Sequence, residues 1–101
     1  MVRAPLPESE IVKRLAALPG WQWVEGKLRR KLVFPSFRDA ITFINGAADV
    51  SEELNHHPNW SNVYTRVVIE LWTHDAGGIT ETDFAWARAV APLCMNAGEN
   101  L

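Results

Sequence analysis

The chain holds a single cysteine, Cys94, so an internal disulfide is excluded and a zinc site built on clustered thiolates has no material. No apolar run approaches the ~20 residues needed to cross a bilayer. The opening Met1–Pro7 lacks the apolar core of a signal peptide, so a reducing, cytoplasmic setting is expected. A glycine-rich phosphate loop, an internal repeat and a low-complexity linker are also missing. Charge of one sign is scarce: the formal net charge of -2 creates no overall field that would draw phosphate backbones or anionic lipid. Nucleic acid and membranes are therefore not expected partners. The basic run Arg29-Arg30-Lys31 reads as a solvated strand face.

What is present fits one domain over residues 1–101, since 48% hydrophobic and 22% charged content is that of an ordinary globular chain. A domain this small removes somewhat under about 70% of its unfolded surface from water, so assembly into a homodimer or homotetramer is expected to help.

Ile11, Leu15 and Leu18 recur at helical spacing, and Pro19-Gly20 stops the pattern, giving a first helix over about 8–18. Runs 21–25 and 27–34 flank Glu25-Gly26 as a hairpin; Leu28, Leu32 and Phe34 share one parity, Lys27, Arg29 and Lys31 the other. Ser36 opens the longest helical pattern, with Phe37, Ala40, Ile41, Ile44, Ala48 and Ser51 on one stripe. Pro58 ends it, and a second hairpin follows over 59–64 and 66–73, with Val67, Ile69 and Leu71 facing the helices and Val68, Glu70, Trp72 and His74 facing away. After the turn Asp75-Ala76-Gly77-Gly78, Thr80 and Asp83 have the spacing of a capping box for a last helix reaching about Met95. That helix carries two apolar stripes, Phe84/Ala87/Ala91 and Trp86/Val90/Leu93, which implies burial on two sides, one of them in a subunit contact. The order α-β-β-α-β-β-α predicts a two-layer α+β fold, a four-stranded antiparallel sheet with its helices on one face.

The chemistry concentrates in Glu52-Glu53-Leu54-Asn55-His56-His57-Pro58-Asn59-Trp60, which holds two of the three histidines; the third, His74, follows the next hairpin. Histidine alone has an unperturbed pKa near neutrality, so imidazoles gathered from two segments make a proton-transfer site. Glu52, one turn before His56, is placed to orient it. A lone histidine is as often a hydrogen-bonded structural group, and Asp83 reads more readily as a cap than as a catalytic group. Adjacent His56 and His57 do not match convergent metal spacing, so no metal is expected. Trp60, Tyr64 and Trp72 read as cross-strand packing, with only Trp60 beside the histidines.

The pattern Glu52-x3-His56-His57-Pro58-x5-Tyr64-x9-His74-x8-Asp83 resembles the signature of the pterin-4a-carbinolamine dehydratases, and the likeness extends to Asn59–Tyr64 and Thr73–Thr80. The resemblance implies a hydro-lyase, 4a-hydroxytetrahydrobiopterin dehydratase, acting in tetrahydrobiopterin recycling without a cofactor. It carries catalytic roles onto His56, His57 and His74 and substrate-binding roles onto Glu52, Asn55, Trp60 and Asp83. Asn55 departs from the acidic residue that some members carry there. The family as known also includes protein-binding coactivators and assembly factors, so a non-catalytic interaction role is the competing expectation; retention of all the histidines and Glu52 favours the enzyme.

Overall fold

The computed structural model describes residues 4–98; Met1, Val2 and Arg3, part of the stretch read against a signal peptide, lie outside it. Helix α1 (Glu8–Leu15) leads to β1 (Gln22–Val24), β2 (Lys27–Val33), α2 (Phe37–Leu54), β3 (Asn59–Val63), β4 (Arg66–Leu71) and α3 (Glu81–Val90). The strands form one antiparallel sheet in the order β1-β2-β4-β3. This is the predicted α+β arrangement.

Both hairpins turn on two residues. Glu25 and Gly26 take positive φ of 51° and 78°, the pair of left-handed conformations that matches strand twist. In the second, Tyr64 (φ 53°) occupies the exposed tip and not the strand in which it was expected to pack, while the Asn62 amide braces the turn by donating to the carbonyls of Tyr64 and Arg66.

Register sorts the sheet residues. Leu28 pairs with Leu71, Leu32 with Val67 and Trp60 with Ile69, so these face the helices; Arg29 with Glu70 and Lys31 with Val68 face away. Arg30 departs from the solvated-face reading of the basic run, since it shares the parity of Leu28 and Leu32 and pairs with Ile69 on the helix side. It borders a hollow of about 240 Å³ that Trp21, Ala87 and Cys94 also line.

Three helix readings need correction. Helix α1 ends at Leu15, because the residues before Pro19 tighten into i→i−3 bonds, Ala17 N–H to Arg14 and Leu18 N–H to Leu15. The buried stripe of α2 is centred on Ala40, Phe43, Ala47 and Ser51; Phe37 and Ala48 are exposed, and Phe43 is the anchor that the expected stripe missed. The last helix stops at Val90 and continues as a 3₁₀ turn, Ala91–Cys94, with Pro92 at its start. Phe84, Trp86, Ala87 and Val90 are all buried within one chain. Trp86 meets Trp21 and Trp60, and α3 lies beside α2, so these four residues are covered within the chain, while Ala91 of the expected stripes is exposed.

Arg14 fastens α1 to the start of α3, binding Glu10 at 3.2 Å and Glu81, with its guanidinium 5.8 Å from the centre of the Phe84 ring. The hydrogen bond from Arg14 holds the Glu81 carboxyl below its usual range. A depressed carboxyl stabilises the fold above its unfolded pKa, and that contribution disappears as pH falls through the lower folded value. Glu81 is exposed, so salt screens the pair.

Candidate active site

Helix α2 sets the first two imidazoles by the way it ends. Asn55 adopts the left-handed conformation (φ 49°, ψ 46°), its N–H reaches the Glu52 carbonyl at 3.3 Å, and the His56 N–H reaches the Ser51 carbonyl at 2.9 Å. This is a Schellman closure, for which asparagine is the best residue after glycine. Asn55 therefore has a backbone task at the position where some relatives place an acid.

The turn also overturns one expectation. Because helical geometry stops before His56, Glu52 does not orient that ring; its Oε2 lies 2.6 Å from Nε2 of His57. His56 swings inward and places Nε2 2.5 Å from Oδ1 of Asp83. The two pairs differ in setting. His56 is 6% exposed and Asp83 fully buried, whereas the His57 side chain is 57% exposed.

Asp83 is at once the reciprocal cap of α3 and the hydrogen-bond partner of His56. Its Oδ2 accepts from the Thr80 N–H at 2.9 Å, completing the capping box of α3, and from the Thr73 hydroxyl at 2.8 Å. The Thr73 proton is spent there, so at 2.8 Å it is the Thr80 hydroxyl that donates to Thr73. Thr80 Oγ1 accepts in turn from the Thr82 N–H at 3.3 Å. Every proton of this buried chain is assigned. A carboxylate taking three donors is well supported in a dry interior, and its Oδ1 is left to hold an N–H of His56. When the ring holds a single proton, that proton is on Nε2 and the free lone pair on Nδ1.

Thr73 ties this network to the third imidazole. Its backbone bridges to Gly78, closing a loop in which His74–Ala76 form a 3₁₀ turn, so His74 sits just past the strand and not within it. The hydroxyl of the residue before His74 is thus two hydrogen bonds from the His56 ring. Thr73 was missed in the sequence, although it continues the inward parity of Val67, Ile69 and Leu71 as a polar residue at a core position. His74 accepts at Nδ1 from the Trp72 indole N–H at 3.2 Å.

The remaining expected residue, Trp60, packs inward, with its ring 6.5 Å from that of Trp86. It also borders a hollow of about 230 Å³ on the uncovered sheet face with Arg29, Asn59, Ser61, Val68 and Glu70, a lining that includes none of the histidines. Among the described residues no group of three or more His, Cys, Asp and Glu is arranged to hold a metal ion.

Two imidazoles held against carboxylates, His56 and His57, and a third that follows Thr73 of the His56–Asp83 network in the chain, make a candidate proton-transfer site on a small α+β scaffold. The chain belongs to the pterin 4 alpha carbinolamine dehydratase family, whose model matches residues 4–93. Two relatives carry the name "Putative pterin-4-alpha-carbinolamine dehydratase". The one from Solibacter usitatus is 50% identical and aligned over 87% of this chain and 93% of its own length. The one from Synechococcus sp. (strain WH7803) is 46% identical over 88% and 96%. A transcriptional coactivator/pterin dehydratase from Brucella melitensis superposes with a TM-score of 0.87 at 40% identity, covering 89% of this chain and 98% of that one. A pterin dehydratase-like protein described as a RuBisCO assembly factor in the alpha-carboxysome gives 0.61 at 31% identity, covering 73% and 86%.

Proposed function

We propose that this protein dehydrates 4a-hydroxytetrahydropterin to the quinonoid dihydropterin, as a hydro-lyase of tetrahydrobiopterin recycling. The observation that carries the reading is the buried His56–Asp83 pair, joined through Thr73 to the segment bearing His74. The reaction moves one proton. The N5–H bond breaks, its electrons form the C=N bond, the C4a–O bond breaks, and the departing oxygen leaves as water. His56, held by Asp83 at Nε2, takes the N5 proton at Nδ1 and returns it toward the oxygen; His74 assists that oxygen. His57, backed by Glu52, binds the pterin ring with Asn55 beside it, and Trp60, turned toward Trp86, supports the sheet beneath. Acid–base assistance of this kind is worth about 10²–10⁴-fold in rate. The chemistry asks for no cofactor.

The setting proposed is cytoplasmic; among the described residues no helix is long and apolar enough to cross a membrane. We also propose a homodimer or homotetramer. Phe37, 47% exposed, borders a hollow of about 530 Å³ on α2 with Ile41 and Thr42, and the edge strand β3 exposes Val63. Sedimentation at micromolar concentration is expected to give a mass at least double that of one chain, and a monomer mass throughout contradicts it.

The test of function is stopped-flow dehydration of synthetic 4a-hydroxytetrahydropterin. Wild type is expected to accelerate it well above buffer, and His56→Ala to lose most of that gain. Likeness to the assembly factor supports a second reading, a protein-binding role without catalysis. A wild-type rate equal to buffer favours that reading.

A further inference from the structure

We infer that Trp72 is a positioning residue: its indole N–H fixes the His74 ring so that Nε2–H is the proton His74 presents to the substrate. The indole nitrogen donates only, and it lies 3.2 Å from Nδ1 of His74, so Nδ1 is the acceptor and the ring proton resides on Nε2. The two rings also touch, with centroids 4.5 Å apart at 52°. A ring held by both a hydrogen bond and a face contact keeps one orientation.

The indole is itself anchored from the other side. Lys27 Nζ sits 4.7 Å from the Trp72 ring centre, and Glu70 steadies that ammonium at 3.9 Å and the Arg29 guanidinium at 3.8 Å. Cross-strand placement explains the contact, because Lys27 and Trp72 lie one step beyond the paired Leu28 and Leu71. A row of side chains across the uncovered face of the sheet thus ends on His74.

The consequence is a division of labour among the imidazoles. His56 and His57 each direct Nε2 at a carboxylate, which holds a proton on that atom and leaves Nδ1 to exchange. His74 is held in the opposite sense, with Nδ1 occupied by a donor and Nε2–H outward. A neutral imidazole N–H stabilises negative charge developing on a departing oxygen without itself having to lose a proton. His74 is accordingly the hydrogen-bond donor of the site and His56 the proton carrier. The catalytic half of this inference rests on the proposed dehydratase reading; the Trp72–His74 bond does not.

Trp72→Phe separates the two, since phenylalanine keeps a ring beside Lys27 and removes only the donor. Imidazole ¹⁵N signals of His74, read by long-range ¹H–¹⁵N correlation, are expected to show a hydrogen-bonded Nδ1 and a protonated Nε2 in wild type. In Trp72→Phe the Nδ1 signal is expected to move to that of a free imidazole. In His74→Ala the Trp72 indole N–H is expected to lose its protection from solvent exchange, a reciprocal check that needs no activity. Loss of one neutral hydrogen bond should lower kcat by roughly three- to tenfold with KM little changed. Unchanged His74 signals in Trp72→Phe overturn the bond; moved signals with an unchanged kcat overturn its catalytic role. If wild type is inactive, the dehydratase reading falls while the spectra still decide whether Trp72 sets the ring.

Discussion

Asp83→Asn is expected to lower kcat/KM for the carbinolamine by about 10²–10⁴-fold while leaving the chain folded. The amide is nearly the shape of the carboxylate and retains an oxygen to accept from Thr73 and the Thr80 N–H, so the capping box of α3 survives. What changes is the atom facing His56. An NH₂ group in place of Oδ1 turns Nε2 from donor into acceptor, which moves the ring proton to Nδ1, the atom that takes the proton from N5 in the proposed mechanism. The catalyst is then present in the wrong tautomer. Asp83→Ala makes a useful contrast, because it also strands the buried Thr73 hydroxyl and the cap and should lose stability together with activity. Stopped-flow rates beside circular dichroism separate the two. Near wild-type turnover in Asp83→Asn contradicts the role given to His56.

The second large effect is on stability. Trp86→Ala is expected to cost about 3–5 kcal/mol, a large part of the stability of a domain this size, and to lower the thermal midpoint by roughly 15–30 °C. Trp86 is fully buried, meets Trp21 edge-on at 6.4 Å and donates its indole N–H to Ser51 at 2.9 Å. Ser51 is also the residue whose carbonyl caps the His56 N–H. Removing the indole therefore empties the contact between α2 and α3 and loosens the helix end that carries the site. Trp86→Phe keeps most of the volume, and the Ser51 hydroxyl keeps its bond to the Ala47 carbonyl, so a smaller loss of about 1–2 kcal/mol is expected. Urea unfolding measures both; a Trp86→Ala cost below that of the Phe variant contradicts this packing.

Much of the architecture was legible because its causes are local. Alternation in 27–34 and 66–71 reports a half-buried strand, Glu25-Gly26 a tight turn, and Ser36 and Thr80 helix starts. Where the reading failed, tertiary contact decided. The inward stripe of α2 turns about Phe43, whose ring meets that of Phe34 just past β2 at 5.3 Å, and the stripe of α3 read as a subunit contact has Trp86 and Val90 buried within the chain.

The site divides in the same way. Its residues were visible as a pattern, but their pairing was not. Sequence spacing joined Glu52 to His56, and only the left-handed Asn55 reassigns that carboxylate to His57 and sends His56 to Asp83. Thr73 and Trp72 had no signature of their own. One is a polar residue on a core parity and the other an aromatic on an open face, and each acquires meaning from a partner brought beside it by the fold.

In the proposed dehydration, imidazoles from the end of α2 and from the loop after β4 have to serve one pterin. Titrating ¹⁵N-labelled wild-type protein with 7,8-dihydropterin, which has no 4a-hydroxyl to lose, tests that directly. The ring signals of His56, His57 and His74 should all move along one saturation curve. If the ligand moves the first two and leaves His74 unchanged, or shifts none of them at saturation, there is no shared site.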